Sequence, residues 1–399
     1  MIRTTVQNKM MDKVRIGVIG VGGMGSAHAR HLFDGGVDGA VLAALCDTDP
    51  ARRAELETVF PAVPVFADST ALFAANVCDA VVIATPHYFH PIIGCEAFEH
   101  GLHVLSEKPM AVQSSEARRF IEAADASGCA FCVMFNQRTD PLFQKARELV
   151  QSGALGELKR FHWIITNWYR TQAYYDSGSW RATYGGEGGG VLMNQAPHNL
   201  DLWQWICGMP ARVYARCPVA KYHNIEVEDE ALIIGEYDNG MTALFQTTTG
   251  EYPGTNRLEI TGDGGKMVLE DGRLKLWRLQ QRERTVCFNA AEGFAQIPMD
   301  YEEMTFEAPA NAHGAVLQNF VDHIRKGTPL LSDGREALNE VMLCNAAYLS
   351  AWQNTMVAMP PDAAAFDREL LARCEQSAVR EGGSAPMHDG YQARWQVRW

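Results

Sequence analysis

The first third of the chain alternates short apolar runs with segments that suit helices. The runs that we predict as strands cover Arg15–Ile19, Val41–Cys46, Ala80–Ala84, His103–Ser106 and Ala130–Phe135. Most of their positions are apolar without alternation, which is typical of strands buried on both faces of a sheet. Strands joined by helices require a parallel sheet with helices on both sides. Residues 1–137 are therefore predicted to form a doubly wound α/β domain with a parallel sheet.

From residue 138 onward the pattern changes to long strands without helices between them. A helix over Pro141–Ser152 comes first, and the predicted strands follow at Leu158–Trp168, Arg212–Val219, Ala231–Tyr237, Thr242–Thr249, Leu258–Thr261 and Leu274–Leu279. Asp238-Asn-Gly240 separates two of these strands and is a strong signal for a tight hairpin. Helices return at Gln318–Lys326 and Arg335–Gln353. Residues 138–358 are therefore predicted to form an α+β domain with an open, mostly antiparallel sheet.

The segment 359–399 is predicted to be a C-terminal extension, because it is rich in Ala, Pro, Gly and charged residues. Its aromatic end, Tyr391–Trp399, has no evident core to join. That end either packs on a neighbouring subunit or frays.

A glycine-rich turn follows the first predicted strand at once. Gly20, Gly22 and Gly25 stand in G-x-G-x-x-G spacing ahead of a helix-compatible segment. Glycines there let the backbone turn sharply and approach a pyrophosphate, while free N–H groups at the helix start face the anion. The order strand, turn, helix therefore predicts a dinucleotide site.

The second predicted strand ends at Asp47, about 20 residues past the glycines, where a ribose-binding carboxylate is expected. Such a carboxylate accepts hydrogen bonds from the ribose hydroxyls and repels a 2′-phosphate. Arg52 and Arg53 follow closely, but a helix beginning at Pro50 is expected to carry them away as a solvated face. The sequence therefore predicts NAD rather than NADP as the cofactor.

Ligands of doubly wound sheets bind beyond the C-terminal ends of the strands. We expect the cofactor to contact Gly20, Gly22, Gly23, Met24, Gly25, Asp47, Thr85, Pro86, His90, Glu107 and Lys108. Lys108 follows the fourth predicted strand, and Pro109 fixes the turn after it. An ammonium held at that edge can polarise a substrate hydroxyl or, with a lowered pKa, relay its proton. A surface lysine paired with Glu107 is the alternative.

A second candidate stretch runs from residue 186 to residue 205. Asn194 is a good N-cap for a helix that has Pro197 in its first turn, and His198 and Asp201 then share a face with Asn194. Asp201 is expected to orient the imidazole, which can accept a proton near neutral pH. The glycine run just upstream suggests a close approach of backbone to ligand. The alternative is a capped helix with an ordinary core histidine.

The segment 168–181 is dense in aromatic and hydrogen-bonding side chains. Flat rings beside polar groups suit a sugar, whose C–H faces stack on aromatics while its hydroxyls bind polar partners. The same composition also suits an oligomer interface. The expected substrate contacts are Lys108, Arg138, Tyr174, Trp180, Arg181, Asn194 and His198.

Composition limits the possible partners of this chain of 399 residues. The net charge of -13 argues against nucleic acid or an anionic membrane, because both require a basic face. The N-terminal residues contain no apolar leader segment, so we expect a cytoplasmic protein. The ten cysteines suit reduced thiols. Cys129 and Cys132 lie in an apolar run without a second pair or a nearby His cluster, and we assign no metal site.

Several of these motifs together resemble the glucose-fructose oxidoreductase / inositol dehydrogenase family, written Gfo/Idh/MocA. The matching pieces are GVIGVGGMGSAH, ATPHYFH, HVLSEKP, LGEL and GGGVLMNQAPHNLDL, in the order of the family. The resemblance implies a Rossmann domain followed by an open-faced sheet, and assembly into homo-dimers or homo-tetramers through that sheet. It also implies hydride exchange with sugars or cyclitols, with Lys108 and His198 catalytic. The family usually has an acidic residue where this chain has Asn194.

The predicted activity is the NAD-dependent oxidation of a secondary hydroxyl of a sugar, glycoside or cyclitol. His198 is expected to take the proton, Lys108 to polarise the same oxygen, and Asn194 to position the substrate. A first alternative is a glycoside-cleaving or epimerising enzyme that uses tightly bound NAD for transient oxidation. A second is a nucleotide-dependent sensor without turnover.

Overall fold

The computed structural model describes residues 13–377, and the aromatic C-terminal end Tyr391–Trp399 lies outside them. The first sheet has six parallel strands in the order β3-β2-β1-β4-β5-β6. Their bounds are β1 Val14–Ile19, β2 Ala40–Cys46, β3 Val65–Phe66, β4 Ala80–Ile83, β5 His103–Ser106 and β6 Phe131–Val133. The strand order reverses between β1 and β4, and this switch point opens a crevice beyond the strand ends. The predicted doubly wound domain is confirmed.

Five helices and a short 3-10 turn complete this half of the chain. The helices are α1 Gly23–Phe33, α2 Pro50–Val59, α3 Ser69–Ala74, α4 Phe89–Glu99 and α5 Ser114–Ser127, and the turn covers Asn136–Thr139. The strands β1, β4, β5 and β6 are almost wholly buried, as their apolar runs predict. Asp49 and Asp68 accept backbone N–H groups at the starts of α2 and α3 and so fix where these helices begin.

The second sheet has nine strands in the order β14-β13-β12-β11-β7-β10-β9-β8-β15. Neighbouring strands are antiparallel, except that β7 and β10 run parallel. The bounds are β7 Leu158–Ile165, β8 Arg212–Arg216, β9 Glu230–Glu236, β10 Thr242–Thr248, β11 Asn256–Gly262, β12 Gly265–Glu270, β13 Arg273–Leu279, β14 Met299–Thr305 and β15 Val357–Ala358. The open, mostly antiparallel sheet is confirmed, as is the hairpin at Asp238-Asn-Gly240.

Eight helices lie in the second half of the described residues, between positions 138 and 377. They are α6 Pro141–Gln151, α7 Gln172–Asp176, α8 Val191–Asn194, α9 Pro197–Cys207, α10 Glu283–Asn289, α11 Ala312–Lys326, α12 Gly334–Gln353 and α13 Ala363–Cys374. The strands β12, β14 and β15 were not predicted, and neither was β3 of the first sheet. The strand β14 contains three acidic residues and is exposed along nearly its whole length, so it carries no apolar pattern.

Two of the later helices connect the halves of the molecule. The helix α11 joins the core of the first sheet, where its buried face packs with β1 and β5. The helix α12 contacts β6 and α5 on one side and α9 and β8 on the other. The helix α13 lies within the predicted extension, and its Phe366 and Leu370 are buried in the core of the second sheet. Between residues 13 and 377 no helix is long and apolar enough to cross a membrane.

Candidate active site

The glycine turn between β1 and α1 has the geometry of a phosphate cradle. Gly20 has a φ of +79°, and a Cβ there would lie 2.8 Å from the backbone nitrogen of Thr85. A Cβ on Gly22 would meet no atom within 4 Å, so the turn opens to free space at that residue. No side chain caps the N-terminus of α1. Its first N–H groups therefore suit an anion such as a pyrophosphate.

Asp47 lies at the end of β2 beside this cradle. Its Oδ2 accepts the N–H of Val21 at 2.9 Å, which ties it to the glycine turn. The expectation for the two neighbouring arginines was wrong. Arg52 turns back from α2, and its Nε donates to the carbonyl of Val21 at 2.7 Å. Arg53 donates to the carbonyl of Asp47 at 3.0 Å, because α2 begins so close to β2 that both side chains reach the strand end.

We predict that Asp47→Ala lowers the preference for NAD over NADP by about 10- to 100-fold. The carboxylate repels a 2′-phosphate and accepts ribose hydroxyls, and losing a charge-assisted hydrogen bond costs about 1.5–3 kcal/mol. With the carboxylate gone, Arg52 and Arg53 remain to attract the phosphate. The measurement is kcat/KM with each cofactor, with Asp34→Asn at the exposed end of α1 as the control. An unchanged ratio would remove Asp47 from cofactor selection.

The loop after β5 brings Lys108 to the crevice. Its peptide with Pro109 is cis, and its Nζ donates to the carbonyl of Asn194 at 2.7 Å. Burial lowers the pKa of Lys108, although the carboxylates of Glu107 and Glu187 oppose this shift. The ammonium is thus held at the point where the two halves of the chain meet.

Two of the expected cofactor contacts have other partners. His90 is fully buried, and its ring nitrogens lie 2.8 Å from the carbonyls of Pro109 and Thr85, so it fastens the two loops together instead of facing the crevice. The carboxylate of Glu107 is buried, and its Oε1 lies 2.8 Å from His28 Nε2. Burial would raise the pKa of Glu107, but the hydrogen bond and charge of His28 lower it to about 2. Both residues therefore position Lys108.

The predicted start of the His198 helix was wrong. Asn194 ends α8 instead of capping α9, whose N-cap is Ala196. The reason lies far along the chain, because the carboxylate of Glu228 accepts the N–H groups of Gly190 and Leu192 and starts a helical turn earlier. Pro197 then stands at the first position of α9, as expected.

The structure also contradicts the roles expected for Asp201 and Arg138. Asp201 is fully buried and accepts two hydrogen bonds from Arg138, at 2.7 and 2.8 Å, so it does not orient His198. Arg138 is 1% exposed and also binds Glu336 at 2.6 Å. These carboxylates occupy the guanidinium, so Arg138 joins α9 and α12 instead of binding substrate.

His198 projects from the first turn of α9 towards the ring of Phe135, 6.2 Å away. Its Nδ1 is buried and has no hydrogen-bond partner among residues 13–377. Burial and the nearby positive charge of Lys108 hold the pKa of His198 well below its usual range. The negative charge of Glu107 opposes this shift without reversing it, so the neutral form of the imidazole is favoured.

The aromatic segment before the glycine run meets Asn194. Arg181 donates to the hydroxyl of Tyr174 at 2.9 Å, and that hydroxyl donates to Asn194 Oδ1 at 3.4 Å. The guanidinium of Arg181 also lies 4.6 Å from the ring of Trp180. Trp180 in turn packs edge-on against His87, which follows β4 in the first half. The structure thus brings Tyr174, Trp180, Arg181 and Asn194 together.

Three groups at the site were not predicted. Glu187 is 2% exposed and accepts the Asn194 amide. His87 lies within ATPHYFH, and its Nδ1 lies 2.9 Å from the carbonyl of Glu187. Glu340 of α12 is fully buried, and its oxygens have no hydrogen-bond partner in the described part of the chain. Burial and the charge of Asp201 raise the pKa of Glu340 well above its usual range. A glutamate ahead of three glycines was the signal available for Glu187.

The fold and site define a class of protein, a nucleotide-dependent oxidoreductase with a Rossmann domain and an open-sheet second domain. Residues 14–135 match the family described as an oxidoreductase family with an NAD-binding Rossmann fold. Residues 143–268 match the GFO/IDH/MocA C-terminal domain. The chain belongs to the Gfo/Idh/MocA family, and NAD is its cofactor.

Named relatives agree with this assignment. An inositol 2-dehydrogenase of Corynebacterium glutamicum is 28% identical over 235 residues, which are 58% of this chain and 66% of that protein. The 1-carboxy-3-chloro-3,4-dihydroxycyclohexa-1,5-diene dehydrogenase of Comamonas testosteroni is 34% identical over 71% of this chain and 70% of its own. The WlbA dehydrogenase of Bordetella pertussis, solved with NADH and UDP-GlcNAcA, superimposes with a TM-score of 0.73. It is 28% identical, over 88% of this chain and all of that one.

Proposed function

We propose that the protein oxidises a secondary hydroxyl on the ring of a sugar, glycoside or cyclitol and passes the hydride to NAD. The observation that carries the proposal is the hydrogen bond from Lys108 to the carbonyl of Asn194, which joins the cofactor domain to α8, where Tyr174 of the aromatic segment also binds Asn194. The names of the relatives support the substrate class, since inositol, a dihydroxycyclohexadiene and UDP-GlcNAcA all carry ring hydroxyls.

The glycine turn and Asp47 would hold NAD, and the bound cofactor would supply the acceptor for the hydride of the carbinol carbon. The hydroxyl proton requires an acceptor whose pKa lies near the working pH. Burial lowers the pKa of Lys108 towards that range, whereas it moves the pKa of His198 further below it. We therefore assign the proton to the neutral amine of Lys108. His198 is left to hydrogen-bond the same oxygen, and Asn194 to position the substrate.

This assignment predicts that His198→Ala lowers kcat by about 10- to 100-fold and leaves the pH at which kcat/KM rises unchanged. The pH dependence stays because a neutral imidazole does not titrate in the working range. The rate falls because His198 would hydrogen-bond the substrate oxygen as it gains negative charge, and losing a hydrogen bond to a charged group costs about 1.5–3 kcal/mol. The measurement is a pH profile of kcat/KM for the wild type and the variant, with NAD binding as the control. Loss of the pH-dependent rise in His198→Ala would return the role of base to His198.

The function itself is tested with a panel of inositols, free sugars, sugar acids and glycosides, monitored by the absorbance of NADH. Net NADH formation with at least one ring polyol, absent in the Lys108→Ala variant, is the expected result. Cleavage or inversion of a substrate without net NADH would replace the proposal by transient oxidation with resident NAD. NAD binding without turnover of any member would contradict both.

We also propose that the chain forms a homo-oligomer through the open face of the nine-stranded sheet. Alternate residues of its central strands point away from the helices, and Ile164, Leu232, Ile234 and Leu244 form an apolar patch there, with Ile234 37% exposed. Exposed apolar patches of this kind mark interaction surfaces.

Free thiols at all ten cysteines support the proposal of a reducing, cytoplasmic location.

A further inference from the structure

A buried carboxylate, that of Glu187, lies behind the reacting end of the site. The side chain is 2% exposed, and Oε2 accepts the N–H of Ala182 at 2.6 Å. The other oxygen, Oε1, accepts the amide of Asn194. Both oxygens therefore face donors, which is the arrangement of an ionised carboxylate and not of a neutral acid.

The same carboxylate interacts with the two cations of the site. Burial raises the pKa of Glu187, and the positive charges of Arg181 and Lys108 oppose that shift. In return, Glu187 is one of the charges that raise the pKa of Lys108. Titratable or charged groups that interact with Lys108 are Glu107, Glu187, Glu340, Arg181, His87, His90, His198 and His313.

The other two acids around Lys108 differ from Glu187 in their hydrogen-bond partners. Burial raises the pKa of Glu340 well above its usual range, and its oxygens have no hydrogen-bond partner among residues 13–377. Glu107 is ionised, but its carboxylate is bound to His28 on the side of α1. Glu187 is therefore the carboxylate that interacts with Lys108 from the loop before α8 while both of its oxygens accept N–H groups.

We propose that Glu187 is a positioning residue of the active site. Its carboxylate supplies the negative charge that stabilises the ammonium form of Lys108, and Asn194 joins the two residues. The side-chain Nδ2 of Asn194 donates a hydrogen bond to Glu187, and the backbone carbonyl of the same asparagine accepts one from Lys108 Nζ. The pair Glu187–Asn194 thus carries one negative charge, with the acid in the loop and the amide on α8. The inference rests on the proposed function, because Lys108 is the proton acceptor there.

An exchange of the two residues tests this directly. Glu187→Gln removes the charge, and Glu187→Gln combined with Asn194→Asp returns it to the other member of the pair. The probe is the pH dependence of acetylation of Lys108 by acetic anhydride, read by mass spectrometry in the enzyme without cofactor. This readout needs no turnover, so it stands even if no polyol is oxidised.

We expect the labelling midpoint of Lys108 to fall by about one pH unit in Glu187→Gln, because loss of a nearby opposite charge disfavours the ammonium. The double variant is expected to restore the midpoint of the wild type. The control is Glu148→Gln, a surface carboxylate paired with Lys145 on α6, which leaves the midpoint unchanged.

An unchanged midpoint in Glu187→Gln, or a double variant that stays at the midpoint of the single variant, would overturn the proposal. Should Glu187→Gln fail to fold, Glu187→Asp keeps the charge but shortens the side chain. The labelling midpoint of Lys108 in Glu187→Asp is then expected below that of the wild type, because the shorter side chain places the charge farther from the amine. A midpoint equal to that of the wild type in Glu187→Asp, with Asn194→Asp also without effect, would likewise overturn it.

Discussion

Replacement of Lys108 by alanine is expected to lower kcat by about 10²–10⁴-fold while NAD still binds with its original affinity. General acid–base groups contribute rate factors of that size. The amine lies at the junction of the two halves and donates to the carbonyl of Asn194, whereas the glycine turn expected to hold the cofactor phosphates lies between β1 and α1. The pH-dependent rise of kcat/KM is expected to disappear with the amine.

The measurement is a pH profile of kcat/KM together with a titration of NADH fluorescence. Lys326→Ala is the matched control, because this lysine lies at the end of α11 and pairs with Asp322 at the surface. Near-normal turnover in Lys108→Ala would exclude the amine from the chemistry. A rise in kcat/KM that persists at the same pH would show that another group takes the proton.

The second large effect is expected at the glycine turn, where two substitutions separate folding from cofactor binding. In Gly22→Ala the new methyl group meets no protein atom, so we expect the thermal stability of the wild type. That methyl group occupies space that the pyrophosphate needs, and we expect the Kd for NAD to rise by about 10- to 100-fold. Steric overpacking of about 1–3 kcal/mol corresponds to this change.

Gly25→Ala is the matched variant, in which the new methyl group clashes with the protein itself and not with the cofactor. Its Cβ would lie 1.9 Å from the carbonyl oxygen of Gly20, which is a backbone atom and yields only if the turn opens. We therefore expect a loss of both stability, by about 1–3 kcal/mol, and NAD affinity. Calorimetry of both proteins with and without NAD provides the measurement. A Gly22→Ala protein that binds NAD normally would contradict the cradle.

The elements with strong local patterns could be predicted from the sequence. Five of the six strands of the first sheet and the hairpin at Asp238-Asn-Gly240 follow from apolar runs and turn residues that act over short distances, whereas the two-residue strand β3 was not predicted. The strand β14 carries no apolar pattern because it is exposed, so it could not be predicted. The start of α8 depends on Glu228, a residue more than 30 positions away.

The candidate site shows the same division. The positions of Lys108 and the glycine turn depend on the strands that precede them, and both lie where the motifs predict. The pairing of Asp201 with Arg138 spans 63 positions, and that of Glu107 with His28 spans 79. Patterns of neighbouring residues cannot identify partners that lie so far apart in the sequence. The helical spacing of Asp201 and His198 therefore suggested a contact that tertiary packing assigns to Arg138.

The place of α11 in the core of the first sheet bears on how the protein is synthesised. Val316, Leu317, Phe320 and Val321 are fully buried there, although they leave the ribosome about 190 residues after β6. At about 5–20 residues per second, the sheet waits about 10–40 s for this helix. During translation the nascent cofactor domain therefore exposes an apolar surface that chaperones can bind. A shortened chain that ends near residue 137 would keep that surface and aggregate.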